Sequence, residues 1–203
     1  MAVAERRSSR EAKRLQTRER LLGAAVAEFK RSGMAEADVS AIVDAAGVAH
    51  GTFFFHFPTK EHVLLELERR EEERIAKQLD QFLASRHDLR SALDEAVRLV
   101  RGLERRLGDL LFKDFLALHF SRTRPPAEGV NDHPVVILVA QAIEHAREHQ
   151  KTDPEVNAMN SAVFFLLGLY ALLITTNEWP TRNTLVEDYV ARTVRSMEAR
   201  QPR

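Results

Sequence analysis

The apolar residues of this chain recur three and four positions apart, which is the spacing of one face of an α-helix. Leu21, Leu22, Ala25 and Phe29 follow this spacing, and Gly33 then offers a natural end to the first helix. No segment has the strict apolar–polar alternation of a half-buried strand, and no repeat occurs. The pattern therefore predicts an all-α protein of about nine helices.

Two short helices are expected after the first. Asp38 is placed to cap the second helix, which turns Ile42 and Ala45 inward. Gly47 breaks that helix, and a third short helix covers roughly residues 49–56. Short helices joined by a tight, glycine-containing turn are the elements of a helix-turn-helix. The second helix of such a pair is short enough to enter a DNA major groove and present side chains to base edges.

The C-terminal part of the chain continues in longer helices. Asp153 followed by Pro154 predicts a helix cap and a first-turn proline at the start of an apolar eighth helix. A ninth helix is expected from about Asn183 to Arg200. Residues 123–133, which contain two prolines and a glycine, form the clearest loop.

Neither a membrane span nor a leader segment is predicted. The longest apolar run, Ala162 to Ile174, is shorter than the ~20 residues that a span requires. The first twenty residues are charged and lack the apolar core of a signal peptide. Cysteine is absent, which excludes disulfides and thiolate chemistry and fits a reducing compartment. We therefore expect a cytoplasmic protein that is not bound to a membrane.

Charge is distributed unevenly along a chain whose net charge is zero. Residues 1–31 contain nine lysines and arginines and four acids, which gives this segment a net charge of +5. A basic segment on a neutral protein indicates either a partner that carries phosphates or a solvated tail.

The segment from the first to the fourth helix resembles the TetR family of regulators. The first helix carries Phe29 and is followed by Gly33. Residues 42–48 read Ile-Val-Asp-Ala-Ala-Gly-Val, and residues 51–60 read Gly-Thr-Phe-Phe-Phe-His-Phe-Pro-Thr-Lys. The resemblance covers about residues 15–65, and beyond them the chain agrees only in the number and length of its helices. It departs from the family pattern at Phe54, where a tyrosine is usual, at Ala49, where a serine usually caps the third helix, and at Ala37.

The resemblance implies a DNA-binding site in this segment. Thr52, His56 and Lys60 correspond to residues that touch phosphates, and Ser40 and His50 to residues that commonly read bases. We include Phe54 in the site as the counterpart of the usual tyrosine, although it lacks the hydroxyl group. Four aromatic residues within positions 53–57 cannot all face DNA, so Phe53 and Phe57 are expected in the core.

The resemblance also implies two domains and a homodimer. Residues 1–60 would bind DNA, with a basic N-terminal arm, and residues 61–203 would sense a ligand and dimerise. Packing of the eighth and ninth helices into a four-helix bundle would form the dimer. The expected dimer residues are Tyr170, Leu173, Val186 and Val190. The expected pocket, for an apolar or aromatic small molecule, is lined by Phe112, Phe115, His119, Gln141 and Phe164.

No catalytic constellation is recognisable, and we predict no enzyme, cofactor or metal. His145 and His149 lie four positions apart and could share a metal, but cations are also favoured at a helix C-terminus. The leading interpretation is a transcriptional repressor that an effector releases from a near-palindromic double-stranded operator. The alternatives are a DNA-binding regulator controlled by a protein partner, and a helical enzyme or lipid carrier that does not bind DNA.

Overall fold

The computed structural model describes the backbone of residues 2–122, 124–125, 133–149 and 152–198, and side chains from residue 10 onward. Over these residues the chain is helical, apart from one isolated bridge between Thr152 and Glu198. The all-α prediction is confirmed. The helices are α1 (Ala2–Glu36), α2 (Val39–Ala46), α3 (His50–His56), α4 (Lys60–Leu83), α5 (Leu89–Leu107), α6 (Asp109–Ala117), α7 (Pro134–Glu148), α8 (Ala158–Thr175) and α9 (Arg182–Met197), with a short 3-10 turn at Leu118–Phe120.

The chain divides into two compact units. The first unit comprises Met1–Glu68 and Leu107–Pro125, and the second comprises Arg69–Arg106 and Pro126–Arg203. These units are defined by packing. The predicted functional domains, residues 1–60 and 61–203, remain a prediction about the division of function.

The first unit holds α1, α2, α3 and α6 around an apolar core. Gly33, at φ 77°, interrupts the helical conformation near the end of α1. The backbone N–H of Met34, just after this break, donates to the Asp114 carboxylate on α6 at 2.6 Å. Ile42 is fully buried as predicted, whereas Ala45 is exposed and the neighbouring Ala46 is buried instead. The largest fully buried side chains of this unit include Leu21, Phe29, Ile42, Phe53, Phe57, Leu64, Leu111 and Leu116.

The second unit is built on α8, which packs against α7 and α9. The predicted start of α8 at Asp153–Pro154 is wrong. The Asp153 carboxylate accepts a hydrogen bond from the N–H of Glu155 at 2.9 Å, but this forms only a turn. Asn157 is the actual cap of α8, and its side chain accepts from the N–H of Asn160 at 2.9 Å. The Asp153 N–H donates to the carbonyl of Met197 at 2.8 Å, which ties this turn to the end of α9.

The inner faces of α8 and α9 are used within the chain. Leu173, Val186 and Val190 are each at most 3 % exposed. These three predicted dimer residues are therefore core residues of a single chain, while Tyr170 is half-buried. Tyr189 on α9 donates from its hydroxyl group to the carbonyl of Phe165 at 2.8 Å, and its ring stacks on the Phe165 ring with 5.8 Å between centroids.

A second face of α8 has no cover in this chain. Phe164 is 71 % exposed and Leu167 39 %, and Ala171 and Thr175 are also exposed. These four residues, which we call the α8 stripe, follow one another at spacings of three and four residues along one side of the helix. By length and composition alone α8 could cross a membrane, since its mean hydropathy is 1.9, but 28 % of it is buried within the chain.

Candidate DNA-binding surface

A capped helix and a left-handed glycine create the helix-turn-helix. The Asp38 carboxylate accepts a hydrogen bond from the N–H of Ser40 at 2.8 Å, as an N-cap does. Gly47 then takes φ 63°, a conformation that costs other residues energy, and its N–H donates to the carbonyl of Asp44 at 3.1 Å. Ala49 precedes α3 without a side-chain cap. The turn predicted from the sequence is thereby confirmed.

The buried side of α3 is aromatic. Phe53 and Phe57 are 0 % exposed, which confirms the prediction that they belong to the core. Their ring centroids lie 6.1 Å apart. Two fully buried rings hold this short helix in one orientation, so the opposite side is presented to solvent.

Arg18 is an anchoring residue that the sequence analysis did not identify. Its guanidinium donates to the carbonyl of His56 at 2.5 Å, and its Cζ lies 4.2 Å from the centroid of the Phe57 ring. It also pairs with Glu66 at 3.3 Å. The available signal was its position three residues before Leu21, on the buried face of α1. Arg18 thus holds the end of α3 and is partly withdrawn from the basic charge of the N-terminal segment.

The outward side of α3 combines a histidine, a glycine and two aromatic rings. His50 and Phe54 are both exposed and stack one turn apart, with ring centroids separated by 5.5 Å. Phe55 is 71 % exposed, and the Arg14 guanidinium lies 5.8 Å from its ring centroid. A Cβ placed on Gly51 would meet nothing within 4 Å. The structure therefore brings His50 and Phe54 to one open surface, which we call the α3 face (His50, Gly51 and Phe54).

The other predicted DNA residues differ in accessibility. Ser40 is exposed on α2, and Thr52 is half-buried. His56 is only 9 % exposed, and burial, together with the nearby Arg18 and Arg14, lowers its pKa. Its ring is therefore held towards the neutral form, which weakens any purely ionic attraction to a phosphate.

Lys60 lies at the first residue of α4 and is engaged within the chain. Its ammonium group donates to the carbonyl of Ala35 at 2.8 Å and to that of Ala37 at 3.3 Å. These carbonyls belong to the end of α1 and to the segment before α2. A phosphate contact by Lys60 would have to be made in addition to these bonds or in exchange for them, and it remains a prediction.

The predicted pocket residues fall in both units. In the first unit, Phe112 and Phe115 are buried, at 3 % and 5 % exposure, and His119 lies beside Glu68. In the second unit, Gln141 lines an open cleft of about 350 Å³ together with Leu83 and Leu138. Phe164 belongs to the exposed α8 stripe. The pocket therefore remains a prediction.

A buried ionic cluster surrounds Glu68, which is 4 % exposed. Arg124 donates to its two carboxylate oxygens at 2.8 and 2.9 Å, and His119 Nε2 lies 3.0 Å from the carboxylate. Burial alone would raise the pKa of Glu68. The hydrogen bonds from His119 and Arg124 outweigh burial and lower that pKa to about 2.

Comparison with known proteins agrees with this geometry. Residues 21–67 match the model of a family described as bacterial regulatory proteins, tetR family. RolR in complex with its ligand resorcinol is similar in structure, with a TM-score of 0.69 and 19 % identity over 94 % of this chain and 91 % of RolR. Thermus thermophilus FadR, a transcriptional repressor in complex with lauroyl-CoA, has a TM-score of 0.67 and 22 % identity over 91 % and 97 % of the two chains.

A third structure extends the same likeness. Bacillus subtilis FadR, in complex with stearoyl-CoA, has a TM-score of 0.64 and 13 % identity, over 89 % of this chain and 99 % of that one. At these identities the three likenesses show a shared fold. No curated protein sequence matches the chain.

Proposed function

Because the chain belongs to the TetR family of DNA-binding transcriptional regulators, we propose that it is a repressor that a small-molecule effector releases from its operator. The α3 face carries this proposal. Its back is fixed by Phe53 and Phe57, which are fully buried, while His50 and Phe54 stand open to solvent. A rigid short helix with one open face is what insertion into a major groove requires.

We assign distinct roles to the residues around α3. His50, at the first turn, and Ser40, on α2, read base edges, because both are exposed at the ends of helices that meet at the Gly47 turn. Thr52, Phe54 and Lys60 face the phosphate backbone. His56 supports α3 from its buried side and contacts a phosphate only through its ring N–H, since burial lowers its pKa. Base contacts give sequence preference, whereas phosphate contacts give affinity.

We further propose that the protein is a homodimer, and that its interface is the α8 stripe. The seam expected from the sequence relied on Leu173, Val186 and Val190, which are buried within the chain. Phe164 and Leu167 are exposed on an otherwise apolar helix of which 28 % is buried. An apolar stripe this open is typical of an interface. A second copy supplies a cover for this stripe in a protein that works in the cytoplasm, away from membranes.

Dimer symmetry sets the form of the operator. Two copies of α3 related by a two-fold axis would enter successive major grooves, with centres about 34–36 Å apart. The operator would therefore be a near-palindrome. An effector that changes this separation by a few ångströms would release the DNA, and the 350 Å³ cleft beside Gln141 has the size of a small-ligand pocket. The resorcinol and acyl-CoA complexes of proteins with this fold support a largely apolar or aromatic effector.

The test combines selection of operator DNA with a charge substitution in the stripe. Random duplexes are selected on the full chain, and the selected operator is titrated at several salt concentrations. We expect a two-fold symmetric footprint for the wild type. Phe164→Glu should give monomers by light scattering and lose the symmetric footprint, whereas Thr184→Glu, an exposed change on α9, should leave both unchanged. A monomeric wild type, or an asymmetric footprint of a single half-site, contradicts the dimer.

Control by a protein partner is the remaining alternative for the regulatory input. A screen of small aromatic and acylated compounds against the operator complex separates the two cases. Release of DNA by a compound that also raises the melting temperature of the free protein supports a small-molecule effector. Failure of every compound class to do either, with operator binding intact, favours a protein partner.

A further inference from the structure

Three histidines of the second unit lie together although they are distant in sequence. His87 is in the connection between α4 and α5, His145 is in the last turn of α7, and His149 directly follows that helix. The ring centroids of His87 and His145 are 5.4 Å apart, and those of His145 and His149 are 4.3 Å apart. All three side chains line a cleft of about 220 Å³. We call them the histidine cluster.

The hydrogen bonds of two of these rings determine which nitrogen is available. His87 Nδ1 lies 2.8 Å from the carbonyl oxygen of Ser85, and His149 Nδ1 lies 2.7 Å from that of His145. A carbonyl oxygen can only accept, so Nδ1 must carry the hydrogen in both rings. In the neutral ring the lone pair then resides on Nε2. Donation from one nitrogen to a carbonyl, with the other nitrogen free to coordinate, is the arrangement of a metal-binding histidine.

Attraction of cations to the end of α7 does not explain this approach. The helix dipole favours a positive charge near His145 and His149. It would favour them equally if they pointed apart, and two charged imidazoles with centroids 4.3 Å apart repel each other. The dipole also offers no reason for His87, which comes from a different part of the chain, to join them. A shared ligand that accepts lone pairs from neutral rings accounts for all three.

From this juxtaposition we propose that His87, His145 and His149 bind one divalent transition-metal ion of the Zn²⁺ class. Imidazole nitrogens suit Zn²⁺, Ni²⁺ and Cu²⁺ and are poor ligands for Mg²⁺. Two rings bound to one tetrahedral ion have centroids about 5 Å apart, because each nitrogen is about 2.0–2.1 Å from the metal. The two observed separations of 5.4 and 4.3 Å bracket this value, so small ring rotations suffice.

The remaining groups around the cleft set the character of the site. Asp88 lines the same cleft, but its carboxylate already accepts from the N–H of Ser91 at 2.8 Å, at the start of α5. Arg86 also lines the cleft and adds positive charge. Three neutral nitrogens are therefore the ligands offered by the protein, and the fourth position of a tetrahedral ion is left to solvent or to a small anion held by Arg86. The ion would tie the α4–α5 connection to the end of α7.

Zn²⁺ titration of the full chain tests the site, with affinity measured by competition against a chromophoric chelator. We expect one Zn²⁺ per chain, no competition from Mg²⁺, and a rise in the melting temperature of the wild type with Zn²⁺. His87→Ala, His145→Ala and His149→Ala should each weaken binding by at least about 10–100-fold, the loss typical even of supporting residues. His62→Ala, a histidine in the first unit, is the matched control and should bind Zn²⁺ like the wild type.

The His87 variant gives the decisive comparison. His87 and the α7 histidines are exposed or half-buried, so each variant should keep the wild-type circular dichroism spectrum. If His87→Ala binds Zn²⁺ as tightly as the wild type, the ion is held by His145 and His149 alone and the proposed site is wrong. Equal binding by all variants, or no stoichiometric binding by the wild type, also overturns it. None of these outcomes depends on the operator or on an organic effector.

Discussion

The ammonium nitrogen of Lys60 lies 2.8 Å from the carbonyl oxygen of Ala35. This bond joins the first residue of α4 to the end of α1, within the unit that carries the helix-turn-helix. The residue that the family pattern assigns to a DNA phosphate thus already stabilises the fold.

Lys60→Ala separates these two roles. Loss of a hydrogen bond from a charged group should lower the free energy of unfolding by ~1 kcal/mol, measured by urea denaturation. If Lys60 also neutralises a phosphate, the slope of log K against log salt should become shallower by about 1 for each phosphate left without its lysine. Lys113→Ala, an exposed change in the same unit, should alter neither quantity. A loss of stability with an unchanged salt slope leaves Lys60 as a structural anchor and contradicts the phosphate contact.

Phe54→Tyr restores the hydroxyl group that is usual in the family. Phe54 is 48 % exposed, so the new hydroxyl would face solvent or DNA and would not be buried without a partner. We expect unchanged stability and tighter binding to every duplex, because a phosphate contact carries no sequence preference. Phe53→Tyr is the control: Phe53 is 0 % exposed, and a buried hydroxyl there should cost roughly 1–3 kcal/mol. If Phe54→Tyr destabilises the protein like Phe53→Tyr, the ring is not at the surface.

The local chemistry of the helix-turn-helix could be predicted from the sequence. The Asp38 cap, the left-handed Gly47 and the burial of Phe53 and Phe57 follow from conformational preferences and spacing over a few residues. The turn at Asp153 shows where such reasoning fails. Its side chain forms the expected local hydrogen bond, but a backbone bond to Met197 holds the segment in a turn, and α8 begins later.

The partners of apolar faces could not be predicted in the same way. Periodicity marked α8 and α9 as apolar, but it does not distinguish a face covered by the same chain from one left for another molecule. Leu173, Val186 and Val190 proved to be core residues, and Phe164, expected in the pocket, is exposed. The histidine cluster was half visible as a pair four residues apart. Its third member, His87, enters only through the tertiary fold.

Glu68 should make stability depend on acid pH. Its pKa is lowered in the fold to about 2 from 4.5, so its ionised form stabilises the native state above the higher value. This contribution is lost progressively as the pH falls from about 5 to about 2. Denaturation curves across this range should show the loss in the wild type and a weaker dependence in Glu68→Gln.

The same substitution should be costly at neutral pH. It leaves Arg124 and His119 beside a neutral amide, and removing one partner of a buried ion pair costs roughly 3–5 kcal/mol. Glu73→Gln, an exposed change on the same helix, is the control. Equal stability of Glu68→Gln and wild type at neutral pH would contradict the importance of the cluster.

Gly168 allows α8 and α9 to approach closely. A Cβ at this position would lie 2.9 Å from Tyr189 Cζ, and closer still to the hydroxyl oxygen, which is held by the carbonyl of Phe165. Gly168→Ala should therefore destabilise the protein by roughly 1–3 kcal/mol despite the better helix propensity of alanine. Adding Tyr189→Leu, which removes the clashing atoms, should recover part of the loss in denaturant titrations. No recovery would place the strain elsewhere.

Gly51 gives the sharpest test of the α3 face. A Cβ there would meet nothing within 4 Å, so nothing that the structure describes around it requires glycine in this helix. Glycine lowers helix stability by up to about 1 kcal/mol relative to alanine. Gly51→Ala should therefore stabilise the free protein by roughly 0.5–1 kcal/mol. If the open space is where DNA approaches the backbone, the same change should weaken operator binding by about tenfold or more, since the added methyl group displaces α3 from the groove.

Gly23→Ala is the matched control for this test. Gly23 is exposed on α1, and a Cβ there also meets nothing within 4 Å. Both variants should unfold at higher urea concentrations than the wild type, but only Gly51→Ala should lose affinity for the operator in anisotropy titrations. Because the free protein becomes more stable in both cases, a loss of binding cannot be attributed to unfolding. Full operator affinity in Gly51→Ala would mean that DNA does not approach α3 at this position, and the α3 face would have to be redrawn.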